Sequence, residues 1–151
     1  MKHKLVRIAI GMLEALIALS AIGGGIVLLA GTYQNGVLIE AGGRGQFPLE
    51  WLRNTPFSDY TMPALILAIG VGGSSLLAAA TIFIGREIGV LASVSAGLIL
   101  AGYIVVEVVM LKQGVSWIES LYFGLGLVIS GLAAYLWMVE HRRHHFQTRQ
   151  M

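Results

Sequence analysis

The chain has 151 residues, of which 56% are hydrophobic and 12% charged, with a formal net charge of +2 and no cysteine. Soluble domains carry roughly 25% charged residues, so this composition excludes an ordinary water-soluble fold. The missing cysteine excludes disulfides, thiol nucleophiles and thiolate metal centres. Apolar runs longer than about 18 residues point to helices that cross a bilayer.

In chain order, Met1 to Arg7 is a short basic leader, followed by an apolar run from Ile8 to Ala30 broken only by Glu14 and Ser20. A basic start before an apolar run resembles a signal peptide, with Ala18-Leu19-Ser20-Ala21 as a weak cleavage sequence. The run continues well past Ala21, so the expectation is a retained first helix over 8–30. Gly31 to Tyr60 is the long polar segment. It carries Glu40, Arg44, Glu50, Arg53 and Asp59, with glycines at 31, 36, 42, 43 and 45. Such a length exceeds an ordinary connection and implies function or internal structure. Within it, Phe47 to Arg53 is expected to form about two turns of helix with Pro48 in the first position. Leu49, Trp51 and Leu52 would then sit in the headgroup layer. The segment reads either as an interfacial cap or as a ligand lid.

Thr55 or Thr61 is placed to cap the second helix, expected over 62–84, with Pro56 or Pro63 in its first turn. Asp59 complements the positive end of that helix. Gly85 suits a C-terminal cap before the turn of Gly85-Arg86-Glu87. The third helix is expected over 88–111 and contains Tyr103 and Glu107. Ser116-Trp117-Ile118-Glu119 matches a capping box and opens the fourth helix, over 117–139. Residues 140–151 form a basic tail. The expected fold class is therefore an all-α membrane protein, a single four-transmembrane-helix bundle with a long extracytoplasmic loop, 31–60, between helices 1 and 2.

Charge asymmetry gives the orientation. Lys2, Lys4, Arg7, Arg86, Arg142, Arg143 and Arg149 fall on the side of the termini, while Arg44, Arg53 and Lys112 fall on the other. The positive-inside rule places both termini in the cytoplasm. Short loops and few charges suggest a bacterial inner (plasma) membrane. The basic residues are explained by topology, so no nucleic-acid partner is implied.

Lipid tails do not drive helices together, so close contact between small residues must. The sequence offers these at four-residue spacing: Ala21 with Gly25, Ala64 with Ala68 and Gly72, Ser93 with Gly97, and Gly126 with Ser130. The cluster Gly72-Gly73-Ser74-Ser75 is denser than packing needs and suggests a bend or a close approach to a ligand.

Glu14 and Glu107 are the carboxylates inside apolar spans, where an ionisable group is a functional candidate by default. Helical rise separates them by roughly 15–20 Å along the bilayer normal, so they cannot work as a carboxylate pair. Tyr103 shares a helix face with Glu107. Trp117, Tyr122 and Phe123, with Trp51 and Tyr60, read either as an interfacial aromatic belt or as the wall of an outward pocket for an apolar or lipid-like ligand. Trp51, Arg53, Asp59 and Tyr60 are candidates for recognition by the outer loop. His141, His144 and His145 stand among cations, which argues against a metal site and for a contact with anionic lipid. No catalytic constellation, metal site or cofactor motif is found.

Thr55 to Pro63, the Gly72-Gly73-Ser74-Ser75 cluster and Val115 to Gly126 are similar to parts of a broad group of small, uncharacterised bacterial four-helix membrane proteins, which carries no activity to transfer. Four short helices with a carboxylate in the first, here Glu14, also resemble the small multidrug-resistance exporters. In those the first-helix carboxylate exchanges protons for cationic drugs. The thirty-residue loop and the seven-to-three charge bias depart from that family, whose dual topology needs balanced charges. The expected function is non-enzymatic: an accessory subunit or interaction module that recognises a larger membrane protein, or a second copy, through its outer loop. The alternatives are an oligomeric small-molecule or proton-coupled transporter using Glu14 or Glu107, and an enzyme acting on a lipid or quinone.

Overall fold

The computed structural model describes residues 2–32, 37–39, 46–48, 52–85, 87–111 and 117–147. Four long helices dominate: α1 (Lys2–Thr32), α2 (Thr61–Phe83), α3 (Glu87–Leu111) and α4 (Trp117–Gln147). The shortest apolar stretch among them, Thr61–Phe83, has 23 residues. At 1.5 Å per residue it spans about 35 Å, enough to cross a hydrocarbon core of roughly 30 Å. All four helices meet that requirement, and the chain is a multi-pass membrane bundle. Large apolar side chains such as Leu19, Ile69, Leu77 and Val109 lie exposed on the outside. Burying backbone polar groups within each helix leaves these faces free to meet lipid.

Two expected boundaries shift outward. The basic leader belongs to α1, which begins at Lys2 rather than at Ile8. The basic tail belongs to α4, which continues past 139 to Gln147. Neither stretch contains a helix breaker, and straight-chain Lys, Arg and Glu prolong a helix readily.

The expected short helix at Phe47 to Arg53 is corrected by the structure. Gln46–Pro48 forms β2, which pairs antiparallel with β1, Val37–Ile39, in the register Val37↔Pro48, Leu38↔Phe47 and Ile39↔Gln46. The β-branched Val37 and Ile39 favour an extended backbone, and Pro48 at the strand end removes no ladder donor. The architecture is thus helical with one small hairpin inside the loop.

The loop is held where it returns to α2. The backbone N–H and Oγ1 of Thr55 both donate to the Leu52 carbonyl at 2.8 Å. Phe57 N–H donates to Thr55 Oγ1 at 3.3 Å, and Thr61 N–H donates to Asp59 Oδ1 at 2.9 Å. Asp59, one residue before the N-cap Tyr60, thus satisfies the first N–H of α2, and neither Thr55 nor Thr61 caps it. At the far end Gly85 takes φ 80°, and its N–H donates to the Ile82 carbonyl, as expected of a C-terminal cap.

Within α2, residues Ile66–Gly73 follow an i→i+5 pattern between two α-helical stretches. The widened turns include Gly70 and end on Gly72 and Gly73, the first half of the Gly72-Gly73-Ser74-Ser75 cluster marked in the sequence as unusual. They re-aim the side chains that follow, beginning with Ser75.

Consecutive helices are antiparallel neighbours, and α4 returns to pack on α1, closing a four-membered ring. Small residues set the spacing. A Cβ on Gly25 would lie 2.6 Å from Ala68 Cβ and 2.8 Å from the Ala64 carbonyl. Gly97 and Gly126 meet across α3 and α4 in the same way. Ile10, Ile17, Val71, Ile82, Val90, Leu100, Ile129 and Leu136 fill the interior.

Candidate functional site

The loop folds back over the bundle. Leu52 and Tyr60 are buried, with Leu28 of α1 and Phe57 packed against them. Beneath this cover is a pocket of about 280 Å³. Its walls are Gly24, Val27 and Leu28 of α1, the first turns of α2, the end of α3 and loop residues Leu52, Thr55, Phe57 and Tyr60. Gly24 on α1 and Pro63 in the first turn of α2 both face this space.

The lining is mainly apolar, with Thr55, Tyr60, Tyr103 and Glu107 as its polar side chains. Glu107 and Tyr103, one helical turn apart on α3, both face the pocket. Among the described residues that line it, Glu107 is the only acidic or basic side chain. Glu119 of α4 lies close enough to repel it. The Tyr60 phenol is pushed above its ordinary range by burial and so remains a hydrogen-bond donor. The Glu107 carboxyl favours a ligand group that donates hydrogen bonds or carries positive charge.

Glu107, Tyr103 and Tyr60 thus come together. Asp59 accepts from the first N–H of α2, and Arg53 is exposed at the loop surface. Trp117 is 74% exposed and does not line the pocket. Tyr122 and Phe123 pack against the bundle core instead of joining a wall around it. Trp51 lies outside the described residues, as does Ser116 of the capping box. The sequence missed the apolar loop contributors Leu52 and Phe57.

Glu14 occupies a different place. Its exposure is 0%, and it lies between the buried Ile10 and Ile17 on the inner face of α1. Arg7, the cation nearest to it in sequence on its own helix, does not reach it. Arg7 instead forms a forked ion pair with Glu140 of α4, with Nη2–O distances of 2.9 and 2.7 Å. Ser75 of α2 stands beside the carboxyl but outside hydrogen-bonding geometry. Ten residues separate Glu14 from Gly24 at the pocket, about 15 Å of helix. Comparison of the chain with protein families, with curated proteins and with solved structures finds no match.

Proposed function

We propose that this protein binds, in its loop-covered pocket, a small apolar molecule that carries one cationic or hydrogen-bond-donating group. One observation carries the reading: loop and helices together enclose an apolar pocket whose single charged lining residue, among those described, is Glu107. Membrane pockets of this kind bind through apolar walls and orient through few polar groups. The bias of basic residues supports an orientation with both termini in the cytoplasm and the pocket facing outward, in the inner membrane of a bacterium.

The test uses two fluorescent probes with the same naphthyl-alkyl body, one ending in ammonium and the other in sulfonate. The full chain in mild detergent should bind the ammonium probe saturably and the sulfonate probe weakly. Replacing a charge-assisted hydrogen bond by a neutral one in Glu107→Gln should weaken the ammonium probe about tenfold. Equal affinity for both probes, unchanged by Glu107→Gln, would refute the proposal.

A second reading, an accessory subunit docking a larger membrane protein, is supported by the exposed Arg53 and Trp117. A stoichiometric protein partner that co-purifies with the wild type and is lost in Arg53→Ala would favour it over small-molecule binding.

A further inference from the structure

Four polar side chains are buried among the described residues: Glu14, Ser75, Ser93 and Ser130, one from each helix. Helix register brings them to one depth. Gly72 of α2 abuts Ala18 and Ile22 of α1, while Gly11 abuts Phe83. Glu14 and Ser75 therefore lie within about one helical turn of the same level. Gly89 of α3 abuts Thr81 and Ile82. Ser93, one turn further on, comes level with Ala78, between Ser75 and Ile82. Ser130 Oγ is engaged, donating to the Val94 carbonyl at 3.0 Å. Both oxygens of Glu14 and the hydroxyls of Ser75 and Ser93 have no hydrogen-bond partner. Buried polar atoms are almost always paired, and an orphaned carboxyl at membrane depth is the costliest exception.

Charge balance defines what this layer lacks. Arg7 is committed to both oxygens of Glu140, and no described cation faces Glu14. One carboxylate calls for one positive charge, which argues against a divalent ion. A proton would neutralise Glu14 and let it share a bond with Ser75, but would leave the hydroxyl of Ser93 without a partner. A metal cation engages all of these oxygens, and hard oxygen donors suit a hard cation. The interrupted segment of α2, Ile66–Gly73, ends two residues before Ser75. Departures of this kind from the α-helical pattern often accompany functional sites, and in membrane transporters interrupted helices supply backbone carbonyls to bound cations.

We infer that Glu14, Ser75 and Ser93 form an alkali-metal cation site inside the bundle, separate from the loop-end pocket. The site stands or falls independently of ligand binding at Glu107. It is tested on the full chain in a non-ionic detergent. Thermal unfolding is compared in choline, sodium, lithium and potassium chloride at equal ionic strength and pH. At ten times its dissociation constant, a bound ion should raise the unfolding midpoint by about 3–6 °C over choline. The rise should vanish in Glu14→Gln and shrink in Ser75→Ala and Ser93→Ala. It should persist in Ser95→Ala, whose hydroxyl lies on the exposed side of the same helix. Should Glu14→Gln fail to fold, the difference between Ser75→Ala and Ser95→Ala decides. Equal midpoints of the wild type in all four salts would overturn the site. So would a rise that survives all three site substitutions, or a response to pH with none to any alkali cation.

Discussion

Gly97→Ala is the sharpest test of how α3 and α4 are held. A Cβ at Gly97 would overlap Ser130 Oγ and stand 2.5 Å from the Gly126 carbonyl oxygen. Real Cβ contacts essentially never fall under 3.0 Å and are ordinary only from 3.4 Å, so the helices must separate by about 0.5–0.9 Å locally. A backbone carbonyl cannot swing aside as a side chain can. Overpacking of this kind costs about 1–3 kcal/mol. The displaced Ser130 hydroxyl also loses its bond to the Val94 carbonyl, which adds about 0.6–1 kcal/mol. The better helix propensity of alanine returns at most about 1 kcal/mol. The net expectation is a loss of about 1–3 kcal/mol. The matched control is Gly102→Ala on the same helix, where a Cβ meets nothing within 4 Å. Its stability should be unchanged or slightly higher. Reversible unfolding of both variants in bicelles, referred to the wild type, measures the difference. If Gly97→Ala proves as stable as Gly102→Ala, the close α3–α4 contact is not what sets the bundle spacing.

The Arg7–Glu140 pair ties the first helix to the last, and both side chains are largely buried, at 18% and 25% exposure. A double-mutant cycle with Arg7→Gln and Glu140→Gln should give a coupling energy of about 1–2 kcal/mol. A coupling near zero would mean that the ring closes through apolar contacts alone. Asp59→Ala should cost about 0.5–2 kcal/mol by removing the acceptor for the first N–H of α2, whereas Asp59→Asn should cost less, because it keeps an acceptor for Thr61 N–H. Equal losses in the two variants, measured by the same unfolding assay, would show that the charge and not the hydrogen bond matters at that position.

The packing stripes were legible in the sequence because a close helix approach requires small residues at particular places. Gly25 against Ala64 and Ala68, and Gly97 against Gly126 and Ser130, are contacts between stripes visible as four-residue spacings. The partner of Arg7 was not legible in this way, because only the return of α4 brings Glu140 within reach of its guanidinium. A place at a helix start left Trp117 open between interfacial belt and pocket wall, and the structure leaves it exposed and outside the pocket lining. Tyr103 and Glu107 were legible as a pair because one helical turn separates them, which needs no knowledge of the other helices.

Local chemistry determined much of this protein from sequence alone. Hydropathy gave four spans, because backbone polar groups can enter lipid only inside a helix of sufficient length. Glycine, proline and aspartate marked the ends of α2 through effects that act over two or three residues. Helix order, the inward face of each helix, the loop hairpin, the placement of Leu52, Phe57 and Tyr60 in one pocket with Glu107, and the shared depth of Glu14, Ser75 and Ser93 were decided by the tertiary structure. The physical reason is that these helices are apolar on nearly every side. Without a polar face turned to water, periodicity does not reveal which side is buried, and only the contacts between helices fix the rotation of each one.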